Sequence, residues 1–168
     1  MKFLKFISIL LGIVFLFSLN NPLFAQVKDV PAPIAAALFV KVIGFEKNIS
    51  NAEITIYVLG SSELALELKK AIGQANIKNV LSGNNLPTTK PSVIFIADES
   101  KMAAAIEYTR KNKILSVTNI PDLVAKGITL GFGIGADNKP KILLNLNSSV
   151  EEGLDWNPAI MKVAQIIK

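Results

Sequence analysis

Ile54-Thr55-Ile56-Tyr57-Val58-Leu59-Gly60-Ser61-Ser62-Glu63-Leu64 is the stretch whose reading decides the fold. Its first six residues are β-branched, aromatic or aliphatic, so 53–59 reads as a strand that stops at Gly60-Ser61-Ser62. Beyond that loop Leu64, Leu68, Ala71, Ile72 and Ala75 recur along one helical face. A strand, a tight loop and a helix in this order make the first half of a parallel crossover unit. The order returns downstream. Val93-Ile94-Phe95-Ile96-Ala97 is an unbroken apolar run of the kind buried on both faces of a sheet, a helix follows over about 100–111, and 114–117 is the next short strand.

The flanks complete the pattern. Upstream, Ile34, Leu38, Val42 and Phe45 recur near helical spacing after Pro33, so 33–46 predicts an N-terminal helix. Residues 76–81 predict a short second strand before the Ser82-Gly83-Asn84-Asn85 loop. Residues 121–126 give one or two helical turns closed by Gly127. The runs 129–134 and 141–146 flank Gly135-Ala136-Asp137-Asn138-Lys139-Pro140, which is turn chemistry and predicts an antiparallel hairpin. Asn157 as N-cap, Pro158 at the first position and Ile160, Val163, Ala164 and Ile167 at helical spacing predict a terminal helix. The sum is an α/β fold: one compact domain with a mixed, mostly parallel sheet, helices on both faces, a C-terminal antiparallel hairpin and a terminal helix.

The first 25 residues have a different character. Lys2 and Lys5 precede the apolar run from Phe6 to Leu19, and small Ala25 stands before Gln26. This is the layout of a secretory signal peptide with its cut expected after Ala25, and the run is shorter than the ~20 residues that span a bilayer. Gln rather than Cys at position 26 argues against lipid attachment. The mature domain, 26–168, is therefore expected to be exported and soluble, and its 143 residues suit a single core. Loss of the leader lowers the formal net charge from +5 to +3.

The chain contains no Cys and no His. Disulfides, thiol catalysis, Cys-based metal sites and a histidine general base are excluded, so a classical catalytic triad is unavailable, an enzyme would have to draw all its chemistry from Ser, Lys and carboxylates, and no cofactor or metal centre is expected. The positive charge is dispersed, with only Lys69-Lys70 and Arg110-Lys111 adjacent and no interleaved aromatics, which argues against nucleic-acid binding.

Gly131-Phe132-Gly133-Ile134-Gly135-Ala136 matches a dinucleotide-binding spacing, but that motif needs a helix after it. Here a turn and a strand follow, so these glycines read as strand positions approached closely by other atoms. Candidate ligand-binding residues gather instead at the ends of the parallel strands. Ser61 and Ser62 offer hydroxyls and amides where a helix starts, although capping explains them equally. Asp98, with Glu99, follows the buried strand, and Thr118 and Asn119 follow the next one. Glu151-Glu152 read as dipole partners near the start of a helical segment. Trp156 reads as a buried or half-buried anchor.

The order of elements and several phrases together resemble the YfiR-like family of bacterial periplasmic regulatory proteins. The carriers are Ala35-Ala36-Ala37-Leu38-Phe39-Val40-Lys41, then Ile56-Tyr57-Val58-Leu59-Gly60-Ser61-Ser62, and Val93-Ile94-Phe95-Ile96-Ala97. They continue with Ile114-Leu115-Ser116-Val117-Thr118, Asp122-Leu123-Val124-Ala125-Lys126-Gly127-Ile128 and Lys141-Ile142-Leu143-Leu144-Asn145-Leu146. The resemblance implies a periplasmic, non-enzymatic regulator that binds a membrane-bound signalling protein, as a repressor of a diguanylate cyclase does, through an exposed apolar surface. Homodimerisation is compatible with the same surface. The chain departs from the pattern in lacking the cysteines of redox-sensitive members, and Phe45-Glu46-Lys47-Asn48 replaces the Trp-Pro that typically follows the first helix. The alternative reading is a single-lobe periplasmic receptor for a small ligand, related to transporter-associated receptors, with Ser61, Ser62, Asp98, Thr118 and Asn119 as its rim.

Overall fold

The computed structural model describes residues 27–167. The leader and its cut after Ala25 lie outside the described residues. Seven strands, β1 (Ile54–Leu59), β2 (Ile77–Gly83), β3 (Val93–Ile96), β4 (Leu115–Thr118), β5 (Leu130–Ile134), β6 (Pro140–Asn145) and β7 (Ala164–Ile167), form one sheet in the order β2-β1-β3-β4-β5-β6-β7. Neighbours from β2 to β5 are parallel, β5 and β6 form the antiparallel hairpin, and β7 runs parallel to β6.

The helices are α1 (Ala32–Val42), α2 (Lys47–Ser50), α3 (Ser62–Lys69), α4 (Met102–Asn112), α5 (Asp122–Ala125) and α6 (Leu146–Glu151). Strand alternation divides them between two faces. Ile54, Ile56 and Val58 of β1, Val93 and Phe95 of β3, and Leu130 and Phe132 of β5 meet Ala35, Phe39 and Val42 of α1 and Leu64 and Leu68 of α3. Leu59, Ile94 and Ile96 point the other way, toward Ala105 of α4 and Leu123 of α5. The first face is organised by a column of rings, with Phe39 edge-on to Phe95 at 5.7 Å between centroids and Phe95 tilted against Phe132 at 6.2 Å. The expected mixed sheet with helices on both faces is what forms.

Three boundaries differ from the sequence reading. α1 stops at Val42 and tightens into a 3₁₀ turn, Ile43–Phe45, because Glu46 leaves the helical region to cap α2. α3 ends at Lys69 rather than continuing to Ala75, and Ala75 and Asn76, at positive φ, turn the chain into β2. The predicted terminal helix is absent. Pro158–Lys162 form a 3₁₀ turn capped by Asn157, and Ala164–Ile167 become β7. The physical reason lies in β6, whose free edge offers a ladder to Ala164, Gln165, Ile166 and Ile167. Ile160 is buried from the turn, while Ala164 and Ile166 pack on the core at strand period.

Glycines 131 and 133 are strand residues, as their context predicts. An added Cβ at Gly131 would collide with Val124 of α5, and one at Gly133 would collide with Val27.

Candidate functional site

Strand order reverses direction between β1 and β3, since the chain first adds β2 on one side and then crosses to the other. The carboxyl ends of β1 and β3 are thus the switch point at which open α/β sheets bind ligands. Ser61 and Asp98 stand there. Ser61 is the N-cap of α3 and its hydroxyl accepts the Leu64 amide at 3.1 Å, while Ser62 opens the helix and is exposed. Asp98 caps the 3₁₀ turn Glu99–Lys101 by accepting the Ser100 amide at 2.9 Å, and the Ser100 hydroxyl, then its amide, hold the carboxyl below its ordinary value. The two loops touch: a Cβ on Gly60 would lie 2.5 Å from the Cβ of Asp98. The crevice between them is therefore narrow.

Thr118 and Asn119 follow β4 on the same rim. Thr118 is fully buried and its hydroxyl donates to Ile96 O at 2.7 Å while accepting the Ile120 amide at 3.1 Å. Asn119 donates from Nδ2 to Val30 O at 3.1 Å, and its own carbonyl accepts the Val30 amide at 3.1 Å. So the five sequence candidates do share one end of the sheet. Four of them use a side-chain atom to hold local backbone or, for Asn119, the segment before α1. A depression of about 410 Å³ adjoins the switch point, lined by Leu59, Asn84, Asn85, Leu86, Lys101 and Ala104. None of the five candidates lines it.

The opposite end of the strands holds a group the sequence reading places wrongly. Glu151 and Glu152 close α6 rather than opening a helix, with Glu152 at its C-cap. Glu151 is exposed and pairs with Arg110 at 2.6 Å. Glu152 is fully buried, and one carboxyl oxygen accepts both the Ser116 amide at 3.0 Å and the Thr129 hydroxyl at 2.7 Å. Its other oxygen has no donor. The Thr109 hydroxyl faces this carboxyl but gives its hydrogen to Ile106 O at 3.1 Å. Burial, only partly offset by these bonds, pushes the Glu152 carboxyl up from its ordinary value.

Glu46 is the second buried acid missed. Its two oxygens accept the Ile49 amide at 2.6 Å and the Asp155 amide at 2.8 Å, which ties the end of α1 to the C-terminal arm. Trp156 pairs with Glu46 through a backbone bridge and donates from its indole to the Ser149 hydroxyl at 2.7 Å, so it is the half-buried anchor its isolation predicts.

Exposed large apolar residues are Ile34, Leu66, Ile72, Leu81, Val150, Met161 and Val163. Ile34 and Leu66 project from neighbouring helices α1 and α3, and Met161 and Val163 precede the edge strand β7. Among the described residues no helix is long and apolar enough to cross a membrane, and no cluster of acids suited to a metal ion occurs.

Among solved structures, a conserved domain protein from Vibrio cholerae O1 biovar El Tor aligns with a TM-score of 0.58 at 16% identity. The ABC domain in complex with L-Trp from Streptococcus pneumoniae aligns with a TM-score of 0.55, also at 16% identity. Each alignment covers 82% of this chain and 60% of the other, so the chain spans about three-fifths of the length of these structures and shares their fold. No curated protein matches the sequence. The family model described as YfiR/HmsC-like matches residues 34–165. The chain belongs to the YfiR/HmsC-like family, whose members are periplasmic, regulatory rather than catalytic, and act on diguanylate cyclase signalling.

Proposed function

We propose that this chain is an exported, non-enzymatic regulator that binds a membrane-bound signalling protein of the diguanylate cyclase kind and holds it in check. The family match over nearly the whole described domain carries the reading. The rim supports it, because Ser61, Asp98, Thr118 and Asn119 cap turns and bind backbone rather than converge on a reacting atom. The leader, cut after Ala25, delivers residues 26–168 to the periplasm in this account. With no cysteine in the chain, the stimulus is something other than thiol oxidation.

The test is the cellular level of cyclic diguanylate. Deleting the chain raises it and restoring residues 1–168 lowers it again, whereas restoring residues 26–168 without the leader leaves it high. An unchanged level in all three strains contradicts the reading.

A second reading, a single-lobe receptor for a small ligand, is favoured by the depression beside the switch point. The streptococcal domain of similar fold was solved with an amino acid. In this reading Asn84, Asn85 and Lys101 supply the polar lining of the depression, Ser61, Ser62, Asp98, Thr118 and Asn119 stand on the rim of strand ends beside it, and a thermal-shift screen of amino acids and other small solutes checks it.

A further inference from the structure

Strand β4 is shorter than its neighbour. It pairs with β5 only through Val117 with Leu130 and Thr118 with Gly131, while β5 continues to Ile134. The lane beside Gly133 and Ile134 is filled from elsewhere, by the segment that precedes α1. Lys28 and Ile134 exchange both backbone hydrogen bonds at 2.9 Å, and Val30 is held by Asn119 through two more at 3.1 Å. Gly133 makes the room, since any Cβ there would run into Val27 and stand 3.1 Å from Pro121 Cβ and 3.3 Å from Lys28 O. The segment Val27–Val30 thus acts as a surrogate strand, one aliphatic side chain seated over a glycine.

Its charge does not suit the lane. Asp29 is exposed, and partial desolvation first, then the charges of Asp122 of α5 and Glu99 of the turn before α4, raise its carboxyl above the ordinary value. Lys126 is engaged with Glu99 at 2.5 Å. The buried Oδ1 of Asn119, at the same place, has no donor. A basic side chain in the position of Asp29 would meet both acids, and a donor there would suit Asn119.

We propose that this lane is a docking site for an extended segment of a protein partner with an aliphatic residue over Gly133 and a basic residue in the place of Asp29, which Val27–Val30 occupies until displaced. This is β-strand addition to the end of β5 that β4 leaves unpaired, with backbone bonds supplying affinity and two side-chain positions supplying specificity. It deepens the regulatory reading by giving the partner a surface and rests on that reading for the partner's identity. The binding chemistry itself is independent of what the partner does.

The probe is a fluorescein-labelled peptide of the chain's own residues 26–33, made with and without Asp29→Lys, followed by fluorescence anisotropy against residues 26–168. The tethered segment competes at millimolar effective concentration, so the protein is also prepared as Val27→Gly, which weakens the competitor. A further variant, Lys28→Cys with Ile134→Cys, locks the segment. Paired residues of this kind have Cα atoms about 5.5 Å apart, within disulfide reach, and the chain has no other cysteine.

The Asp29→Lys peptide is expected to bind Val27→Gly about threefold to fivefold more tightly than the unsubstituted peptide at low salt, with the gap closing in 0.5 M salt. Oxidising the double cysteine variant abolishes binding and reduction restores it. Equal binding to the oxidised and reduced forms overturns the proposal, as does no binding of either peptide to a Val27→Gly protein with a native circular dichroism spectrum. If that failure occurs while cyclic diguanylate still responds to the chain, the lane is refuted and the regulatory reading stands.

Discussion

Glu46 and Glu152 are both fully buried, and the two regions that hold them meet their carboxyl oxygens in different ways. At Glu46 each oxygen has its own backbone amide, one from Ile49 nearby and one from Asp155 far along the chain. At Glu152 one oxygen takes two donors and the other takes none. The first arrangement is a knot that fastens the end of α1 to the C-terminal arm. The second favours the neutral acid, because burial desolvates a carboxylate there and one of its oxygens has no donor to offset the charge. The lesson is that burial alone does not set the role of an acid. The count of donors on each oxygen does.

Replacing Glu46 with Ala should break the comparison most severely. It strands the amides of Ile49 and Asp155 and loosens the bridge to Trp156, and a loss of about 3 kcal/mol in urea unfolding is expected.

Glu152→Gln sharpens the contrast through pH. A carboxyl whose folded value lies above its unfolded one stabilises the fold while protonated, so its contribution is complete below the ordinary value near 4.5 and is lost as pH rises through the raised folded value. The amide keeps an acceptor for Ser116 and Thr129 and never ionises. The variant should match the wild type at pH 4 and exceed it by about 1–3 kcal/mol at pH 8, read from melting curves across that range. A constant difference at every pH would mean that the Glu152 carboxyl titrates alike in the folded and unfolded chain.

The smallest effect belongs to the rim. Ser61→Ala removes the cap of α3 and should cost about 1 kcal/mol in urea unfolding, with no pH dependence between pH 5 and 8.

Much of this architecture is legible from local chemistry. The runs around Ile56 and Phe95, each ending in a loop and a helix, specify crossover units because strand period, loop residues and helix period change in sequence. Ser61 announces its cap, and the glycines at 131 and 133 are readable as tight strand positions once no helix follows them. What is not legible depends on partners far away. Ile160, Val163, Ala164 and Ile167 fit a helix by spacing, and only the open edge of β6 selects the strand. Glu151 and Glu152 are identical neighbours in sequence, yet Ser116 and Thr129, 36 and 23 residues distant, bury one of them and leave the other in solvent. Glu46 carried no signal either, since Glu is an uncommon N-cap. The segment Val27–Val30 has no periodicity of its own and becomes a strand surrogate only beside Gly133.

The central claim is that the domain acts by binding a membrane signalling protein, and its most direct test is affinity capture. Tagged residues 26–168 are incubated with detergent-solubilised membranes of the native organism and the bound proteins are read by mass spectrometry. The account predicts one reproducibly enriched membrane-bound cyclase, released by an excess of the untagged domain. Recovery of abundant background proteins alone, under both native and crosslinked conditions, would contradict it.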